Sequence, residues 1–204
     1  MPIIDSHLNG GGILVAAGAN GNTIGDGYNG NGNTISGNYW YGVKIVDPGS
    51  DSNRLYGNRI GVDVTGQAAL PNEEEGILVR YGAQYTNIGL AGFPVYGNTI
   101  GANNVGIMID GPGVLGTQIL GNYIGTALDP AMNLIKIPNR LAGIIVQNGP
   151  TATAIGDGTA ESQNYVYYNN YVGIHIKGNS QSNSVRHSLV GGNVGDGILV
   201  DEGA

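Results

Sequence analysis

Residues 33–45 read NTISGNYWYGVKI, and the last four of them decide the fold. Gly42-Val43-Lys44-Ile45 is one copy of a Gly–apolar–x–apolar tetrapeptide. It recurs as GILV at 12–15, GILV at 76–79, GIMI at 106–109, GIIV at 143–146, GIHI at 173–176 and GILV at 197–200. Successive glycines lie 30, 34, 30, 37, 30 and 24 residues apart. A fixed period of this size is the mark of a repeat architecture.

Two further apolar positions travel with each tetrapeptide. The second follows 11 or 12 residues on, at Ile24, Leu55, Ile88, Ile119, Ile155 and Val185. Asn or Thr stands two places before it, at Asn22, Asn53, Thr86, Thr117, Thr153 and Asn183. The third alternates: 11 or 12 further at Ile35, Ile100 and Val166, but 5 further at Ile60, Ile124 and Val190. Where that corner is short, the return to the next Gly is long (61–75 and 125–142), except in the sixth unit. The unit is therefore a pair of coils of about 65 residues. Each apolar element is short, alternates at period 2 and is bounded by Gly and Asn, which reads as strand. Three such strands cannot pair within one coil, but they can pair with the coils above and below at about 4.8 Å. The expected fold is all-β: a parallel solenoid of about six coils, roughly 30 Å tall, with three short strands per coil, for which the resemblance given next implies a right-handed parallel β-helix. Residues 1–204 form a single domain in this reading, either a segment of a longer solenoid or an end-to-end stacking unit.

The pieces GVKI, NTIG (23–25 with Asn22), GNRIGVDVTG at 57–66 and the looser GNYIGTALDP at 121–130 resemble the right-handed parallel β-helix repeats of the pectin-lyase-like group. They are especially similar to the repeats of large bacterial surface proteins. The resemblance covers nearly the whole chain and implies an extracellular or cell-surface location. It speaks to fold more than activity, because one fold hosts many functions.

Composition narrows the function. Thirty-eight glycines accompany a hydrophobic fraction of 41%, too high for a disordered chain. Net charge is −7, which disfavours nucleic acid as a partner. No apolar run approaches a membrane span, and MPIIDSHLNG lacks the pattern of a signal peptide. Absence of cysteine removes disulfides and thiolate chemistry.

Alternation points the two apolar residues of each tetrapeptide inward and the x residue outward. The x column reads Leu14, Lys44, Leu78, Met108, Ile145, His175 and Leu199. Leu14, Leu78, Met108, Ile145 and Leu199 are candidate interface residues, with cover by the chain's own insertions as the alternative. Self-association, lateral or end to end, follows as an expectation. The next outward column holds Arg80 beside Asp110 and Lys177 beside Asp201, expected lateral ion pairs or grips on a polysaccharide. Candidate carbohydrate-binding residues are Tyr39, Trp40, Tyr41, Arg80, Asp110, His175 and Lys177. The aromatics serve equally well as corner packing, with Tyr165, Tyr167, Tyr168 and Tyr171 as counterparts and Tyr96 less closely placed.

Polysaccharide lyases and hydrolases of the resembled group cluster carboxylates on neighbouring coils, and lyases add Ca²⁺ ligands. Here Asp110 has Arg80 below and Gln147 above, and no catalytic pair emerges. Glu73, Glu74 and Glu75 read as a solvated loop before the 76–79 strand, with a loose cation site as the alternative. His7, His175 and His187 occupy non-equivalent positions, so no metal site is expected. Ca²⁺ is compatible but unsupported, and no cofactor is expected. GANGNTIGDG at 18–27 lacks the context of a phosphate loop. The expectation is a non-enzymatic, extracellular structural or adhesive module. The alternative is a polysaccharide-binding or polysaccharide-degrading protein.

Overall fold

A computed structural model describes residues 10–26, 32–92 and 97–201. His7 and Tyr96 lie outside the described residues. The chain's regular secondary structure is nearly all strand, mostly in three parallel sheets that it visits in a fixed order. The first sheet has seven strands: Ile13–Val15, Val43–Val46, Glu75–Arg80, Val105–Asp110, Ala142–Gln147, Val172–Ile176 and Ile198–Val200. The second has six, from Thr23–Ile24 to Ser184–Val185, and the third has six, from Thr34–Ile35 to Leu189–Gly191. The short spans of the second and third sheets fit corners that follow within a few residues. No helix among the described residues is long and apolar enough to cross a membrane.

Register follows the tetrapeptide. Ile13, Val43, Ile77, Ile107, Ile144, Ile174 and Ile198 stand in one ladder, and Val15, Ile45, Val79, Ile109, Val146, Ile176 and Val200 in the next. From Val15 to Ile176 these columns, with Leu55, Ile88, Ile119 and Ile155 of the second sheet and Ile60, Ile100, Ile124 and Val166 of the third, form one core, with Ile13 partly buried against it, whereas Ile198 and Val200 of the last strand are exposed. Most of these side chains are wholly buried, each worth roughly 2 kcal/mol of transfer free energy. β-Branched residues suit it because each packs on its equivalent in the next circuit.

The repeated Gly has a steric cause. A Cβ on Gly76 would sit 2.7 Å from the Gly106 carbonyl oxygen and 2.8 Å from Asn103 Nδ2. Gly42, Gly106, Gly143 and Gly173 meet the same pair of obstacles, an oxygen of the next circuit and an Asn amide.

Those amides belong to ladders. At the corner between the second and third sheets, Asn33, Asn58, Asn98 and Asn122 each donate, through backbone N and Nδ2, to the Oδ1 of the next. Asn164 receives the last of these bonds. A second ladder, at the return to the first sheet, runs Asn38, Asn72, Asn103, Asn139, Asn169 and Asn193. Spare Nδ2 hydrogens go to backbone carbonyls such as Ile24, Leu55 and Ile88. Each ladder satisfies backbone groups that a corner would otherwise leave unpaired.

The long returns become hairpins. Thr126–Leu128 pairs antiparallel with Leu134–Lys136, and Val62 bridges Ala69 in the same sense. Val62, Ala127 and Ile137 pack the two together as a small satellite core. Both turns are closed by an aspartate. Asp63 Oδ1 accepts from Thr65 Oγ1, Gln67 N and Ala68 N; Asp129 Oδ1 accepts from Ala131 N and Asn133 N.

Candidate functional site

The outer face of the first sheet begins with Trp40 and Tyr41, immediately before Gly42. Glycines make room for both rings. A Cβ on Gly10 would lie 2.9 Å from Trp40, and one on Gly11 would lie 2.4 Å from Tyr41. The Trp40 N–H donates to the Gly10 carbonyl, which fixes the segment against the preceding circuit. Trp40 stays 48% exposed, with Tyr39 edge-on at 6.2 Å. Lys44 Nζ sits 5.4 Å above the Tyr41 ring. These residues, with Glu74, Glu75, Leu78 and Arg80, line an open groove of about 290 Å³.

Glu75 is the member that sequence reasoning placed elsewhere. It is the first residue of its strand rather than part of a solvated loop. It stands at the position before the repeated Gly, equivalent to Tyr41, Val105, Ala142 and Val172. That equivalence was the available signal. Burial pushes its carboxyl above the usual range, opposed by a bond to its own backbone; Glu74 then raises it, Arg80 lowers it and Asp110 raises it. Glu73 turns away and binds Arg140 at 3.0 Å. The three consecutive acids therefore have separate environments.

Arg80 stacks on Tyr81, with 3.7 Å from the guanidinium carbon to the ring centroid, and pairs with Asp110 at 3.3 Å. Asp110 also accepts from Gln147 Nε2 at 3.2 Å and Asn148 Nδ2 at 2.7 Å. It is 7% exposed. Its oxygens are committed within the chain. Arg80 Nε is buried without a partner among the described residues.

Other candidates are distributed. His175 is buried and its Nε2 lies 3.1 Å from Asp201 Oδ1. Asp201 thus meets His175, where the sequence pairs it with Lys177. His175 lies two circuits beyond Asp110 and Asp201 three, apart from the Trp40 groove. Of the apolar x residues, Leu14 is exposed, Leu78 and Ile145 are buried, and Met108 and Leu199 are partly buried. Val105, Ala142 and Val172 gather round Ile145, so the middle of this band is covered by the chain's own side chains. The aromatic counterparts also separate: Tyr165 stacks on Tyr123, Tyr167 and Tyr168 tilt together, and Tyr171 is exposed.

Among the described residues no three His, Asp or Glu side chains cluster to hold a metal ion. No family model, curated protein or solved structure matches the chain. Chemically, the groove offers an aromatic face, two cationic side chains and the carboxyls of Glu74 and Glu75, the second of raised pKa. That set suits holding a polyhydroxylated ligand: rings stack on a sugar face while charged groups bond its hydroxyls.

Proposed function

We propose that this chain is a right-handed parallel β-helix acting as a non-enzymatic, extracellular structural or adhesive module. In this reading the Trp40 groove holds a glycan. The observation that carries it is the half-exposed Trp40, braced on Gly10 beside Tyr41, Lys44, Glu75 and Arg80. The fixed visiting order of three parallel sheets supports the β-helix. The surface location rests on the resemblance of GVKI, NTIG and GNRIG to repeats of bacterial surface proteins. Binding is favoured over cleavage because Asp110, on the neighbouring circuit, is consumed by Arg80, Gln147 and Asn148, which leaves Glu74 and Glu75 without a carboxylate from that circuit to act beside them.

The test is a panel of neutral and acidic polysaccharides, scored for binding and for depolymerisation. The expected result is binding without cleavage, weakened about tenfold by Trp40→Ala through loss of stacking area. Depolymerisation abolished by Glu75→Gln would instead establish the degrading alternative, with Glu75 as the acid.

A further inference from the structure

After the strand Ala142–Gln147 the chain turns on Asn148-Gly149, and the backbone there dictates both letters. φ is +62° at Asn148 and +99° at Gly149. Asparagine tolerates the left-handed conformation, and the second value suits glycine alone. The next circuit presses on the turn: a Cβ on Gly178 would lie 3.1 Å from Asn148 N and 3.2 Å from its Oδ1.

The pairing that the turn demands is also a reactive one. A glycine nitrogen, with no side chain to shield it, can close a ring onto the Cγ of the preceding asparagine. Two Asn-Gly pairs fall wholly within the described residues, Asn20-Gly21 and Asn148-Gly149, and both asparagines are exposed. Their nucleophiles differ. Gly21 N–H donates to the Asp51 carbonyl at 2.9 Å, and Asn20 Nδ2 donates to the Gly18 carbonyl at 3.0 Å. Both reacting groups of that pair are tied. Gly149 N–H makes no hydrogen bond among the described residues. In this pair only the amide is tied, through Nδ2 to Asp110 Oδ1 at 2.7 Å.

We propose that Asn148 is a modification site, at which the folded chain deamidates without an enzyme. Gly149 N gives its proton to hydroxide and bonds to Asn148 Cγ. The Cγ–Nδ2 bond breaks, and that nitrogen leaves as ammonia. Water then opens the cyclic imide at either carbonyl, which leaves an aspartyl or an isoaspartyl residue at position 148. The sum is one water consumed and one ammonia released, with nothing oxidised or reduced.

The product changes the surroundings of Asp110. Position 148 loses its donor and gains a carboxylate beside Asp110, which keeps Arg80 and Gln147 as partners. Two carboxylates so placed repel. The isoaspartyl form also lengthens the backbone of a turn in which Gly178 leaves no slack. Modification therefore loosens the contact between these two circuits as the protein ages. It does not depend on the Trp40 groove.

The test incubates the folded full chain in mildly alkaline buffer made with heavy-oxygen water, beside the same chain in urea. Peptide mapping by mass spectrometry then follows positions 20 and 148. In urea, where the tertiary bonds are gone, the two positions should convert at similar rates. In the folded chain position 148 should convert about tenfold faster than position 20, because the bond to Asp51 holds the Gly21 nucleophile. The products should carry the heavy oxygen that ring opening adds. Asp110→Ala, which frees the amide, should speed conversion at 148 about threefold. Asn148→Gln, whose longer side chain closes the ring poorly, should stop it. Conversion at position 20 as fast as at 148 in the folded chain overturns the proposal, as does an unconverted position 148 when the urea sample converts.

Discussion

Two kinds of corner turn this chain, and they treat buried polar groups differently. Where the second sheet meets the third, asparagines stack from Asn33 to Asn164, and the three amides between these ends each give to one neighbour and receive from another. Where the first sheet meets the second, the equivalent position is Asn22, Asn53, Thr86, Thr117, Thr153 and Asn183. Asn22 still donates to Asn53, and Thr153 N still donates to Asn183 Oδ1. The three hydroxyls between them are buried without a hydrogen-bond partner among the described residues. Strand spacing explains the contrast. A circuit rises about 4.8 Å, which an amide with a donor at one end and an acceptor at the other can bridge. A threonine hydroxyl on a single carbon cannot. Threonine fills the corner's volume, while asparagine also bonds it.

Breaking a ladder should have the largest effect. Asn122→Ala removes donors to Ile88 O, Leu120 O and Asn164 Oδ1, and the acceptor for Asn98. Urea unfolding should show a loss of about 4 kcal/mol, because several buried groups are left unpaired together. The threonine corner should respond in the opposite direction. Thr117→Val keeps the shape and deletes a hydroxyl with no partner among the described residues, so stability should rise by up to about 1 kcal/mol. Loss of stability comparable with Asn122→Ala would show that the two corners are equivalent after all.

The smallest effect concerns Glu75, which shares its position with Val105 and Ala142 but carries a charge. Its folded carboxyl binds a proton more tightly than the unfolded one, whose value is 4.5. Its contribution is therefore fully present below 4.5 and is lost as pH rises through the higher folded value. Glu75→Gln should be more stable than the natural protein at pH 7, with the gap closing in acid. Thermal midpoints across that range would check the sign. A gap that widens in acid would mean that Arg80 outweighs burial.

How far the sequence reached can be judged from particular residues. Ile77 and Val79, Leu55 and Ile60 were legible as core because the repeat fixes both face and register. Arg80 beside Asp110 was legible for the same reason. Asp201 was not: its neighbour by register is Lys177, but the carboxylate rotates to His175, a choice made by side-chain reach rather than spacing. Glu75 was hidden among three identical letters, only one of which enters the strand, although Glu74 lines the groove with it.

By itself, then, the sequence determined an all-β chain of repeated three-strand circuits, its core columns and the glycines and asparagines of its corners. Those follow from periodicity, which is local and repeats under the same steric rule in every circuit. Tertiary structure alone decided which polar groups are spent internally and which are not: Asp110 bound, Glu75 desolvated, Arg80 Nε without a partner among the described residues. That outcome depends on how insertions fold back on neighbouring circuits, where no repeat constrains the contacts.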